Sequence, residues 1–413
     1  MTAREFDLVL YGATGYVGKL TAAYIASAAP KGTRIAIAGR SEQRQREVLD
    51  GIGAAAAEWQ VILADASNQA SLDSMAARAQ VVVTTVGPYA EYGLPLVEAC
   101  AKAGTDYADL TGESLFVRDS IDGFHKQAAD TGARIVHSCG FDSIPSDLGV
   151  HLLYRAATAG NAGHLEDTTL VVRKFRGGVS GGTAASGIGQ AMRMSRDKEA
   201  REIANDPYTL SDNRPMEPDL GHQTDAPLVR GSRIDPGLPG WAAAFFMGPY
   251  NTRIVRRSNS LLNWAYGPRF KYREMISVGR SPLAVVPAAG ITGGVVALVK
   301  LTPALRFLPK RVLAMAPKPG TGPSEEARNA GFFNIETYTR TSSGARYRAN
   351  FAMRGDPGYK ATAVMLGESG LCLALDRAEL SDLVGVLTPA TAMGDPLARR
   401  LVAAGVTLGA TRL

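Results

Sequence analysis

The chain has 413 residues, 20% of them charged and 46% hydrophobic, with a net charge of +6. That length accommodates two domains with sizeable cores, and that balance excludes a disordered or fibrous chain. The modest positive charge favours acidic partners or anionic surfaces, and no nucleic-acid-binding signature accompanies it. The three cysteines, Cys100, Cys139 and Cys372, are far apart, and the five histidines do not cluster. This pattern implies reduced thiols in a cytoplasmic protein, with neither a disulfide framework nor a metal site. The opening MTAREFDLVLYG runs straight into an apolar strand and leaves no room for a signal peptide.

Residues 6 to 18 read FDLVLYGATGYVG, an apolar run followed by glycines at three-residue spacing and then a helical pattern. Phosphate binding needs this order: a strand enters a tight turn, and the turn opens a helix whose free N–H groups face an anion. Gly12 permits the turn, Gly15 lets the backbone approach a pyrophosphate, and Gly18 lets the helix pack on the strand. Gly12, Ala13, Thr14, Gly15, Tyr16, Val17 and Gly18 are therefore the candidate cofactor cradle. An ordinary glycine-rich turn is the alternative. The second strand, RIAIAGR over 34–40, ends in Arg40 and Ser41 where an NAD-dependent enzyme carries Asp or Glu. Arg40 can pair with a 2′-phosphate through charge-assisted bonds, which favours NADPH over NADH. A solvated surface arginine is the other reading.

The third strand is VILADAS, where Asp65 contacts adenine or forms a turn. VVVTTVGPY is the fourth, and it brings Val86 and Gly87 toward the cofactor. TDYADLTGE is the fifth strand and turn, and RIVHSCGFDSIPSDLG is the sixth with a polar exit. Strands alternating with helices over residues 1–150 give an α/β fold, a Rossmann-like doubly wound parallel sheet. Ligands bind at the carboxyl ends of such strands, so Thr84–Tyr89, Asp109–Glu113 and Cys139–Ser146 should face the nicotinamide.

Beyond residue 150 the pattern changes to a second, α+β domain over 151–384. LVVRKF, FFNIETYT and ARYRANFA look like strands of another sheet, the last two forming a hairpin. Residues 207–240 carry six prolines and read as a long loop or lid. Residues 282–299, PLAVVPAAGITGGVVALV, contain no charge, but Pro287 and three glycines weaken a helix there. Three readings stand: a membrane span, a buried hairpin, or a flap that touches a membrane or covers a lipid. Arg269, Lys271, Arg273 and Arg280 precede it, and Lys300, Arg306, Lys310 and Arg311 follow, which suits an anionic membrane surface. Residues 385–413 form a C-terminal segment.

YGATGYVG, AGR, TTVGPY, YGLPLVEAC, YADLTGE and GFDSIPSDLG together resemble the saccharopine dehydrogenase-like reductases. SGGT, TRIVRRSN, PKPGTGPS and GVLTPATAMGD extend the likeness nearly to the C-terminus. Within that family the chain is most similar to the trans-acting enoyl reductases of mycobacterial phthiocerol and phenolphthiocerol lipid synthesis. The resemblance implies a two-domain oxidoreductase whose C-terminal segment returns to the first domain. The implied reaction is NADPH-dependent saturation of a double bond in a polyketide acyl chain carried by a separate synthase.

Such chemistry needs hydride at the β-carbon, stabilisation of an enolate, and a proton at the α-carbon. Tyr89 is the first candidate donor, with stacking or packing as its other role. Tyr92, Asp142 and Ser143 follow, and Asp109 and Glu113 are orienters or helix caps. Ser180, Gly181, Gly182 and Thr183 mark a helix start suited to a thioester oxygen or pantetheine phosphate, or else a flexible connector. Arg253, Arg256, Arg257, Arg269, Lys271 and Arg273 lie in a stretch without an acidic side chain. It reads as a docking face for an acidic carrier domain, a membrane contact or a solvated face. A free lipid substrate and a homodimer also fit. The competing functions are another oxidoreductase on this scaffold and a non-catalytic, lipid-associated nucleotide-binding protein.

Overall fold

The computed structural model describes residues 4–178, 180–307 and 320–413. Lys310, Arg311 and the first part of PKPGTGPS lie outside the described residues. The first half alternates strictly: β1 (Phe6–Tyr11), α1 (Tyr16–Ala28), β2 (Ile35–Gly39), α2 (Glu42–Ile52), β3 (Gln60–Leu63) and α3 (Gln69–Arg78). There follow β4 (Ala79–Thr84), α4 (Tyr89–Ala103), β5 (Asp106–Ala108), α5 (Ser114–Thr131), β6 (Arg134–Val136) and α6 (Ile144–Ala159). Leu8, Val9 and Leu10 in β1 are all fully buried, because helices cover both faces of a parallel sheet. The strand order is β13-β6-β5-β4-β1-β2-β3, and every pair is parallel. The seventh strand, β13 (Gly385–Leu387), comes from far along the chain and pairs with β6.

The second sheet is mixed, in the order β14-β12-β11-β7-β10-β9-β8. It contains β7 (Leu165–Arg176), β8 (Val229–Arg230), β9 (Trp241–Ala244), β10 (Lys271–Val278), β11 (Phe332–Thr341), β12 (Arg346–Arg354) and β14 (Thr407–Arg412). β11 and β12 form the expected hairpin, in register from Phe332↔Arg354 to Arg340↔Arg346. The helices α7 (Gly181–Arg196), α8 (Lys198–Asn205), α9 (Gly248–Leu261) and α10 (Val285–Lys300) lie between β7 and β11.

One continuous core spans both sheets, from Leu8 and Val83 to Phe333 and Phe351. The chain re-enters the first layer before residue 385. The helix Thr362–Leu375 packs there, with Gly370 against Val83 and Leu8 and Gly367 against Tyr24. The strand that ends the chain, β14, returns instead to β12 of the second sheet.

The uncharged segment forms no hairpin. After a 3-10 turn at Pro282–Ala284 it is the helix α10, seated on β9 through buried Ala288 and through Thr292, whose hydroxyl accepts the Ala244 N–H at 3.1 Å. No helix among the described residues is long and apolar enough to cross a membrane. Leu283 (78% exposed) and Val286 (70% exposed) nonetheless face solvent.

Candidate active site

A cavity of about 1060 Å3 lies beyond the carboxyl ends of β1, β4, β5 and β6. Its floor is the glycine turn and the β4 exit, with Tyr16, Val17, Gly18, Gly87, Pro88 and Tyr89. Gly12 sits at φ +95°, where a side chain is strained, and a Cβ there would fall 2.7 Å from Val86 Cγ2. A Cβ on Gly18 would fall 2.1 Å from the Gly12 carbonyl oxygen, so α1 can approach β1 this closely only through glycine. Gly15 caps α1, and a Cβ on it would meet only the Gly12 oxygen, at 3.5 Å. The first-turn N–H groups of α1 lack intrahelical partners, and this open turn therefore fits a dinucleotide pyrophosphate.

At the end of β2, Arg40 is exposed and has no salt-bridge partner among the described residues. Ser41 caps α2, accepting the Arg44 N–H at 3.4 Å. Asp65 forms a turn: its Oδ1 accepts the Ser67 N–H at 2.9 Å and the Ser67 hydroxyl at 2.8 Å. These bonds, with help from Arg40, hold its carboxyl below the usual range. Val86 packs against Gly12, and its N–H donates to Thr84 Oγ1 at 3.2 Å.

Tyr89 lines the cavity, but its hydroxyl is fully engaged. It donates to the Thr84 carbonyl and accepts the Leu110 N–H, both at 3.2 Å. Glu113 caps α4 by accepting the N–H groups of Tyr89 (3.0 Å) and Ala90 (2.9 Å). Asp142 also lines the cavity and accepts the Thr183 hydroxyl at 3.2 Å; burial raises its pKa. Ser180 caps α7 by accepting the Thr183 N–H at 3.0 Å, and the Gly181 N–H donates to Tyr359. Gly182, between Gly181 and Thr183 in the first turn of α7, also lines the cavity.

Tyr16 is tied across the site. Its hydroxyl donates to the Pro323 carbonyl and accepts from Arg328, and its ring meets Tyr359 edge-on at 5.0 Å. The segment around Gly320–Ser324 thereby straps the second domain over the glycine turn.

The first three arginines of the basic stretch cannot belong to a docking face, whereas Arg269 and Lys271 are exposed. Arg253, Arg256 and Arg257 of α9 are buried, at 3%, 3% and 0% exposure. Arg253 pairs with Asp225 and donates to the Asn205 carbonyl at 3.1 Å. Arg256 donates to the Pro207 carbonyl and Gln223, each at 3.1 Å, and Arg257 donates to the carbonyls of Leu210 and Val386. Burying a charge demands such partners. Asp225, Pro207, Gln223 and Leu210 belong to the long loop after α8, so these arginines clamp it as one wall of the cavity, while Asn205 ends α8 and Val386 lies in β13. A run of arginines reads alike in sequence whether it meets water or carbonyls.

Sequence reasoning missed the start of α9. Asn251 donates to the Asp142 carbonyl at 2.6 Å and to Glu274 at 3.0 Å, while Ser143 donates to Asn251 Oδ1 at 2.8 Å. The adjacent Tyr250 lines the cavity and shares a 2.5 Å hydrogen bond with Ser138. The only local signal is Gly248-Pro249 as a helix opening after a strand. Part of the lining is apolar, with Ile188, Met192, Met194, Phe246, Val295 and Val296. Among the described residues no cluster of His, Cys, Asp and Glu is able to hold a metal ion.

Residues 8–136 match the family described as saccharopine dehydrogenase NADP binding domain. Rv2449c of Mycobacterium tuberculosis is 60% identical over 417 residues, covering 100% of this chain and 99% of that protein. The trans-acting enoyl reductase of Mycobacterium ulcerans is 56% identical over 414 residues, covering 99% of each chain. This chain belongs to the trans-acting enoyl reductase family. The trans-acting enoyl reductase of Mycobacterium bovis BCG is likewise 56% identical, over 415 residues and 99% of each chain. Apo saccharopine dehydrogenase (L-Glu forming) from Saccharomyces cerevisiae shares the fold, with a TM-score of 0.54, 12% identity, and coverage of 98% of this chain and 99% of that one. The chain is an oxidoreductase with an NADP-binding first domain, and NADPH is its cofactor.

Proposed function

We propose that this chain saturates an enoyl double bond in a polyketide acyl chain, of the kind that builds phthiocerol-type lipids, while a separate synthase's carrier domain holds the chain. The carrying observation is the lining of the cavity: it combines a glycine cradle with an apolar wall built by α7, α10 and Phe246. Such a wall suits a long hydrocarbon and offers no cluster of cations to an amino-dicarboxylate substrate.

NADPH, when bound, supplies hydride to the β-carbon. In this reading Gly12, Ala13, Thr14, Gly15, Tyr16, Val17 and Gly18 hold its pyrophosphate. Arg40 and Ser41 take its 2′-phosphate, Asp65 shapes the neighbouring turn, and Val86 and Gly87 back the nicotinamide. The Gly182 N–H, at the start of α7, faces the thioester oxygen, where negative charge develops. Asp142 holds Thr183 and Ser180 in place around that turn. Lys300, exposed at the α10 end of the cavity, meets the phosphate of a carrier arm.

The exposed apolar side chains of α10 favour peripheral contact with an anionic membrane, with the acyl chain entering beside Val295 and Val296. The test of the enzymatic reading is mass spectrometry of a carrier-bound long-chain 2-enoyl thioester after incubation with protein and NADPH. A gain of two hydrogens that requires both is expected. Tight NADPH binding with an unchanged acyl mass would contradict it.

A further inference from the structure

We propose that Tyr250 is the acid that protonates the α-carbon during enoyl reduction, with Ser138 as the residue that positions it; this rests on the enoyl-reductase reading above. Four tyrosines line the cavity: Tyr16, Tyr89, Tyr250 and Tyr359. Three have given their hydroxyl hydrogen to a backbone carbonyl, of Pro323, Thr84 and Thr321 respectively. Tyr250 alone has a hydroxyl as its partner, Ser138 Oγ at 2.5 Å. A hydroxyl can turn and donate, which leaves the phenolic proton free to point into the cavity.

The mount is rigid. Ser138 sits at the end of β6 with φ 67°, a left-handed conformation that costs a residue with a side chain about 1–3 kcal/mol. Asp109 holds it there by accepting the Ser138 N–H at 2.9 Å. Asp109 is itself fixed by the Thr111 N–H (3.0 Å), the Tyr107 hydroxyl (2.9 Å) and a ring nitrogen of His137 (2.7 Å). From the other side, Asn251 pins the first turn of α9 to the Asp142 carbonyl and to Glu274. Strain kept by such over-determination is characteristic of working sites. Burial raises the Tyr250 pKa well above the ordinary phenol value, and the nearby carboxylates Asp109, Glu113 and Asp142 add to this. The bond to Ser138 opposes them by favouring the phenolate. The phenol thus arrives protonated and meets a donor that steadies it once the proton has gone.

The balance is complete. Hydride from the reduced nicotinamide forms the β-carbon C–H bond, and the double-bond electron pair moves to the α-carbon and carbonyl oxygen. That pair takes the Tyr250 proton as the phenolic O–H breaks. Oxidised cofactor and saturated thioester depart, and water returns a proton to Tyr250.

The test uses the full chain, NADPH and a carrier-bound 2-enoyl thioester, with Tyr250→Phe, Asp142→Asn and Ser138→Gly. Tyr250→Phe is expected to keep wild-type NADPH affinity by fluorescence and to lose about 10²–10³ in kcat, the usual worth of a general acid. Protonation then limits the rate. The solvent deuterium isotope effect rises and the effect of deuterated NADPH shrinks, a change that a merely structural tyrosine would not produce. Ser138→Gly keeps the left-handed backbone and removes the hydroxyl; roughly a tenfold loss in kcat is expected, and this variant decides the matter if Tyr250→Phe does not fold. Inactive wild type would sink the reductase reading itself. Active wild type with Tyr250→Phe within about threefold of it, or the isotope pattern moving to Asp142→Asn, would overturn the assignment of Tyr250 alone.

Discussion

Ser186 donates a hydrogen bond to Glu113 Oε1 at 2.6 Å, joining the cavity-lining helix α7 to the carboxylate that caps α4. Glu113 is buried and holds three donors, the Ser186 hydroxyl and the N–H groups of Tyr89 and Ala90. Removing it leaves three donors unpaired, two of them buried. Glu113→Ala should cost about 2–4 kcal/mol and Ser186→Ala about 1 kcal/mol in urea unfolding. A Glu113→Ala variant as stable as wild type would show that α7 is held by other contacts.

The glycine turn makes a sharper demand. Gly18→Ala puts a methyl group 2.1 Å from the Gly12 oxygen, an atom of the backbone itself. The turn must open, and NADPH binding should be lost. Gly51→Ala is the control: nothing lies within 4 Å of its Cβ, and it sits within α2. It should leave binding unchanged and raise stability by up to about 1 kcal/mol. Fluorescence titration and thermal melts separate the two outcomes.

In the proposed reading Arg40 carries the preference for NADPH. Its guanidinium is exposed, so replacing it should not alter the melting temperature. Arg40→Glu should weaken NADPH binding roughly 10- to 100-fold, since a charge-assisted bond is worth about 1.5–3 kcal/mol. NADH, which lacks the 2′-phosphate, should be affected far less. Equal NADPH affinity in both proteins would remove Arg40 from the site.

Asp147 gives the fold a pH dependence of its own. It is buried at the start of α6, accepts from Ser258 and from the Ala390 N–H at 2.7 Å, and so binds α6 to α9 and the segment after β13. Burial pushes its pKa up to about 6, from 3.8. The folded state therefore holds a proton that the unfolded state has released, and this contribution to stability falls as pH rises from about 4 to about 6. The melting temperature of wild type relative to Asp147→Asn should decline over that window and level off above it. A difference that stays flat would show that Asp147 is ionised in the fold throughout.

The parallel sheet and glycine cradle were legible because each rests on neighbours in sequence. Gly12, Gly15 and Gly18 are local requirements of one turn, and β1 to β6 follow one another with their helices. What was illegible depends on distant partners. Tyr250 reaches Ser138 across 112 positions, and Arg257 finds the Val386 carbonyl across 129. Nothing near either residue announces the contact. β13 is a three-residue strand whose place in the sheet is decided by β6, not by its own sequence. Tyr89 was legible as a residue at the site, but its engagement by Thr84 and Leu110 was not.

α10 supplies a prediction about where the protein works. Leu283 and Val286 are exposed beside a helix that also lines the cavity. Full-length protein should sediment with anionic liposomes at low salt, and Leu283→Ser with Val286→Ser should abolish this without changing NADPH affinity. Protein remaining in the supernatant would leave α10 as a cover for the cavity alone.

The most direct measurement follows the hydride itself. NADPH carrying deuterium at the transferable position is incubated with the protein and a carrier-bound long-chain 2-enoyl thioester in ordinary water. The account predicts a saturated acyl chain with one deuterium at the β-carbon and ordinary hydrogen at the α-carbon. Cofactor oxidation without deuterium in the acyl chain, or an acyl chain left unsaturated while NADPH stays bound, would contradict it.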